Sequence, residues 1–180
     1  MDNTPDLPRI IEGTLHRLLQ PEDLAAIFRY DHAWYRYYSL LLTTGIWPGD
    51  GAMLTYNNIS WERSVIGHFR QTNNKYEEVA VPLQLLEDYP QGPPPKTPLF
   101  PDLFSDIEEQ EYRLEQLSER LGPPSDYLES ILSAAGRPVA SLVAFRVTYD
   151  HIIRDSHAGS GPAELQLKGI LPEKIKIPRS

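Results

Sequence analysis

Apolar positions recur along this chain with two periods, and together they predict helices first, then strands and helices interleaved. Ile10, Ile11, Leu15, Leu18 and Leu19 fall at helical spacing and predict a helix over 10–19. Pro21-Glu22-Asp23 suits the first turn of a second helix, because proline is tolerated there and acids favour the positive end of the helix dipole. Leu24–Asp31 could continue that helix or become a buried strand from about Ala26, and the strand is the favoured reading. Trp34, Tyr38, Leu41 and Leu42 share one helical face within 32–44, and Gly45 is placed as its C-cap.

The stretch 49–69 reads as a turn, a strand, a polar elbow and a helix. Gly49-Asp50-Gly51 supplies the turn, and Ala52–Tyr56 is short and rich in strand formers. Asn57, Asn58 and Ser60 crowd the elbow, with Ser60 as N-cap. Trp61, Val65, Ile66 and Phe69 then mark the face of a helix. Further on, 79–85 alternates as a strand that Pro82 pushes to an edge or a bulge. Residues 89–102 carry prolines at 90, 93, 94, 95, 98 and 101, which predicts a stiff loop. Ser105 and Glu108 form a capping box for a helix that Gly122-Pro123-Pro124 ends. A short helix follows from the cap Ser125 to about Ala135, closed by Gly136. Strand patterns occupy 139–149 and 163–170, joined by a glycine-rich loop over 156–161. The expected fold is α+β, a mixed sheet with helices on its flanks.

Composition narrows the function classes. A length of 180 residues fits a single domain, 1–180, with 1–9 as a loose arm carrying two prolines. A net charge of −8 argues against a general nucleic-acid binder, which needs a basic face. No apolar run approaches the ~18 residues of a membrane span, and the acidic start lacks a signal-peptide pattern. The absence of cysteine excludes disulfides, thiolate metal sites and a cysteine nucleophile. The simplest expectation is a cytoplasmic protein, or one delivered into another cell by a route not visible in the sequence.

Few residues carry a chemical signature. His16, His32, His68, His151 and His157 show no metal-ligand spacing, so no metal is expected. Phosphate-loop and nucleophile-elbow motifs are absent from the sequence. Asp150 or Asp155 with Glu164 and Gln166 forms a loose acidic arrangement of the kind that holds a divalent ion in nucleases. Alternatively Glu164 acts alone, as a carboxylate that stabilises an oxocarbenium-like transition state.

Four stretches, in order, resemble the mono-ADP-ribosyltransferases of the cholera-toxin-like class. Ile27-Phe28-Arg29-Tyr30-Asp31 is similar to the family's first strand with its NAD-anchoring arginine. Gly45-Ile46-Trp47-Pro48 is similar to the motif after its first helix, and Leu54–Ser60 to its central Ser-Thr-Ser strand leading into a helix. Ala163–Ile175 is similar to the last catalytic strand. The four stretches together cover 29 of 180 residues. It implies an ADP-ribosyltransferase-like fold, NAD as substrate and cleavage of the nicotinamide–ribose bond by a toxin- or effector-like enzyme. Arg29 would bind the NAD phosphate or ribose, Thr55, Asn57 and Ser60 would brace the cleft, and Glu164 would be catalytic. Pro162 stands where arginine-modifying members carry Glu or Gln. The implied acceptor is therefore an unspecified macromolecule, or water. The competing expectation is a non-catalytic protein–protein interaction module that uses the Tyr-rich segment 30–38 and the proline-rich loop.

Overall fold

A computed structural model describes residues 16–70, 73–81, 83–87, 89–103 and 121–153. In chain order the elements are α1 (Pro21–Ile27), α2 (Tyr35–Thr44) and α3 (Pro48–Ala52), then a single 3-10 turn (Tyr56–Asn58). The strands β1 (Ile59–Ser60), β2 (Val65–Phe69) and β3 (Tyr76–Ala80) follow. After them come α4 (Leu83–Glu87), α5 (Gly122–Ala134), α6 (Val143–Thr148) and a π-helical segment (Tyr149–Ile153). Helices with a small antiparallel sheet make the architecture α+β.

Helix α2 is the centre of the molecule. Every residue from Tyr37 to Thr44 is buried, as expected for a helix that is apolar nearly all round. It packs on α3, α4, α6 and the π-helical segment, while α1 packs on α5. The two interior tyrosines satisfy their hydroxyls on backbone carbonyls: Tyr37 donates to Pro48 O at 2.6 Å and Tyr38 to Pro124 O at 2.5 Å. Burial pushes both phenols above their usual range. Tyr38 also stacks on Phe145, centroids 5.2 Å apart, which ties α2 to α6. Gly45 ends α2 with a left-handed φ of 71°, as its position in the sequence predicts.

Among the described residues the strands pair in the order β1-β2-β3, and both pairings are antiparallel. Register puts Ile59, Ile66, His68, Glu77 and Val79 on one face, and Ser60, Val65, Gly67, Phe69, Tyr76, Glu78 and Ala80 on the other. The first face carries Ile59 and Ile66 into the core; the second exposes Phe69, Tyr76, Glu78 and Ala80. The proline-rich loop is irregular, as expected, but it is bonded to the fold. Tyr56 N donates to Thr97 O, Asn57 N to Pro95 O and Leu99 N to Leu54 O, and Leu99, Phe100 and Leu103 are buried.

Several expectations need correcting. Residues 17–20 are irregular and not the end of a helix, because Arg17 and Leu19 are held to the segment 138–148 instead. Ala26 and Ile27 remain in α1: Leu24, Ile27 and Phe28 make one buried helical face, and no strand forms there. Residues 48–52 are helical, with Pro48 at the first position, in place of the expected turn and strand. Residues 61–69 are a turn and a strand in place of a helix. Ser64 takes φ 51° in that turn, and the β-branched pair Val65-Ile66 suits a strand. The strand expected over 79–85 lies at 76–80, and 83–87 is helical. Gly122-Pro123-Pro124 opens α5 where it was expected to close a helix, since prolines fit a first turn; Gly136 closes the segment at φ 70° as expected. The apolar run 139–149 contains α6, because a buried helix and a buried strand share that composition.

The arm 1–9, the capped helix behind Ser105, the loop 156–161 and the strand 163–170 lie outside the described residues. No helix among the described residues is long and apolar enough to cross a membrane.

Candidate functional site

Of the residues the sequence singled out, Glu164, Asp155 and Gln166 lie outside the described residues. Asp150 lies in the π-helical segment, and Arg29, Thr55, Asn57 and Ser60 fall in two separate places. Arg29 is exposed in the turn after α1, with its guanidinium carbon 5.3 Å from the centroid of the Tyr30 ring. Thr55 is buried and occupied by local structure. Its N–H donates to Asn58 Oδ1 at 2.8 Å and its hydroxyl to the same oxygen at 3.2 Å, which caps the 3-10 turn. Asn58 also donates from Nδ2 to Gly67 O at 2.8 Å, pinning the turn to β2. Asn57 is exposed on that turn. Ser60 caps no helix; it pairs with Val65 on the outward face of the sheet. Thr55, Asn57 and Ser60 therefore share one elbow, whereas Arg29 follows a helix whose packing partner is α5.

The structure assembles a polar cluster elsewhere, where the exit of α2, the sheet and α6 meet. Trp47 follows Gly45 and precedes α3. Two guanidinium carbons lie against its ring, Arg146 of α6 at 5.2 Å and Arg70 at 5.9 Å from the centroid. Arg146 donates to Gly45 O and, at 3.1 Å, to Asp150 Oδ2. Asp150 stands in the π-helical segment, a widened turn that often marks functional sites. Arg70 Nη1 lies 3.5 Å from Glu77 Oε2, and His68 Nε2 lies 3.9 Å from Glu77 Oε1.

His68 is only 5% exposed, and neither ring nitrogen has a hydrogen-bond partner among the described residues. The same is true of Trp47 Nε1 and Arg70 Nε. Trp47 and Arg70 were not marked by the sequence as functional. Read with period two, 65–70 places Ile66, His68 and Arg70 on one face, a signal that the helical reading hid. Among the described residues no group of three or more His, Asp or Glu side chains is placed to hold a metal ion.

A third feature is the outward face of the sheet. Phe69 is 60% and Tyr76 55% exposed, and the two rings touch across the strands with centroids 5.1 Å apart. Tyr76 lies diagonally over Gly67, where its hydroxyl would stand 2.0 Å from an added Cβ. It donates to Glu78 Oε2 at 3.2 Å, and Glu78 is in turn held by Arg63 through two hydrogen bonds. The Tyr-rich segment contributes less surface than its composition suggests: Tyr37 and Tyr38 are core residues, while Tyr30 is 65% exposed. A scan against protein-family models, a search of curated proteins and a search of solved structures each return no match.

Proposed function

We propose that this chain works by recognising another protein through the outward face of its β-sheet. The observation that supports it is the exposed Phe69–Tyr76 pair. Large aromatics are expensive to leave in water, and aromatic side chains concentrate binding energy where they are found at interfaces. The pair is set on paired strands, so little order is lost on binding. Arg63 and Glu78 flank it as a closed ion pair, which suits the polar rim of an apolar contact. The partner that fits is a protein presenting an aliphatic or aromatic patch ringed by polar groups.

The test compares proteins captured by the wild type with those captured by Phe69→Ser and by Tyr76→Ser, folding being checked by circular dichroism. Loss of one such aromatic anchor costs ~2 kcal/mol at an interface, roughly 30-fold in affinity. A partner retained equally by all three proteins would sink the proposal.

A second reading, cleavage of NAD, is supported by the order of the four sequence stretches, the last of which, Ala163–Ile175, carries Glu164. Its test is nicotinamide release by the purified chain beside Glu164→Gln. Removing a carboxylate that stabilises the transition state should slow release on the order of 10²-fold. Absence of release from the wild type would end that reading without touching the first.

A further inference from the structure

The cluster at Trp47 has a chemical imbalance. An indole Nε1–H can only donate a hydrogen bond, a guanidinium Nε–H can only donate, and a neutral imidazole offers one N–H. Trp47, Arg70 and His68 each bring such a group, and none of these atoms meets an acceptor among the described residues. Buried polar atoms in natural proteins are nearly always paired, so unpaired donors gathered at one junction call for a common acceptor. Glu77, the carboxylate paired with His68 and Arg70, does not supply it. Glu77 stands 3.9 Å from His68 Nε2, beyond hydrogen-bond reach, and 3.5 Å from an outer nitrogen of Arg70 rather than from Nε. Its side chain is 37% exposed and can turn toward solvent.

Placement supports the same conclusion. His68 and Arg70 are two residues apart on β2 and its continuation, so both project from one face of the sheet. Arg70 reaches across to the Trp47 ring, and Arg146 approaches that ring from α6. Asp150 and Gly45 O engage Arg146, while the one ion pair of Arg70 among the described residues is the 3.5 Å contact to Glu77. Planar guanidinium donors with a neighbouring indole N–H match the in-plane lone pairs of an oxyanion.

We propose that Trp47, His68 and Arg70 form a binding site for a small oxyanion, a phosphate or carboxylate group, whose oxygens accept from Trp47 Nε1, Arg70 Nε and a His68 ring N–H. Glu77 is the group that the ligand displaces, swinging outward as the anion takes its place beside Arg70. The site is independent of the Phe69–Tyr76 face, which lies on the other side of the sheet.

The experiment is a ¹H–¹⁵N NMR titration that follows the indole N–H of Trp47, assigned with Trp47→Phe among the three tryptophans of the chain. Inorganic phosphate and acetate are titrated separately against sodium chloride at matched ionic strength and fixed pH. The expected result is a saturable shift of the Trp47 signal with one or both oxyanions and none with chloride; the stronger of the two names the anion class. Arg70→Gln should weaken binding about tenfold or more, because a charge-assisted bond is lost. Glu77→Gln, at a half-exposed position, should bind more tightly than the wild type, since the competing carboxylate is gone. The proposal is overturned by a Trp47 signal that does not move with either oxyanion, or that moves equally with chloride. It is also overturned if Glu77→Gln, folded by circular dichroism, binds more weakly than the wild type.

Discussion

Gly45 takes a φ of 71°, and a Cβ built on it would stand 2.2 Å from Cδ2 of the Tyr149 ring. Its carbonyl accepts from Arg146, so backbone conformation, aromatic packing and a cation meet at one residue. Gly45→Ala combines a left-handed backbone with overpacking and should destabilise the fold by about 3 kcal/mol. Urea unfolding measures this, and an unchanged midpoint would contradict the packing described. Asp23, in the first turn of α1, is a fully buried carboxylate. Arg17 donates to its carboxylate at 2.6 and 3.0 Å, Arg137 at 2.8 Å and Gln20 N–H at 2.7 Å. Burial alone would raise its pKa, but the bonds from Arg17, Arg137 and Gln20 and the charge of Arg17 outweigh that and lower it from 3.8 to about 2. A depressed carboxylate stabilises the folded state fully above its unfolded pKa and loses that stabilisation as pH falls through the folded one. Asp23 should therefore contribute about 2 kcal/mol above pH ~4, lost toward pH ~2. Unfolding free energies across that window, beside Asp23→Asn, check the claim: the variant should lack this part of the acid dependence. Gly45 was legible in the sequence because it follows a clear helical stripe. Asp23 was legible only as a first-turn acid, since its partner Arg137 lies 114 residues away.

Among the elements, legibility followed how distinct the local signal was. Helix α2 was readable because its apolar residues recur at helical spacing and a glycine closes it. Proline at the start of α1 was readable for the same kind of local reason. The failures occurred where one composition serves two structures. The run 142–148 contains Ala144, Phe145 and Val147, which suit a buried strand as well as α6, and only the stacking of Phe145 on Tyr38 decides between them. Residues 61–69 show apolar spacing that fits a helix, yet Ser64 takes a positive φ, and 65–69 pairs with β3 along its length and with β1 at Val65 and Ile66. The helical spacing makes Ser60 a helix cap beside Thr55 and Asn57, but the cap in this elbow is the exchange between Thr55 and Asn58. Thr55→Ala should cost about 1 kcal/mol and loosen the 3-10 turn, visible as faster amide exchange at Thr55 and Asn58. Unaltered exchange would mean that the proline-rich loop alone holds the elbow.

Over the whole molecule, the sheet separates two chemistries. Its inner face carries Ile59 and Ile66 to the core and His68 to the polar cluster, while its outer face presents Phe69 and Tyr76. This separation was not readable beforehand, because the face of each residue depends on strand register. An overall charge of −8 coexists with two arginines gathered at Trp47, so local placement and not net charge decides where an anion can bind. We propose the Phe69–Tyr76 face as a recognition surface. Its most direct test is the quantitative comparison of partners captured by the wild type, by Phe69→Ser and by Gly45→Ala at matched folded concentration. Phe69→Ser is expected to weaken capture of the partner by roughly 30-fold, while folded Gly45→Ala keeps it. Equal capture by Phe69→Ser and the wild type would contradict it.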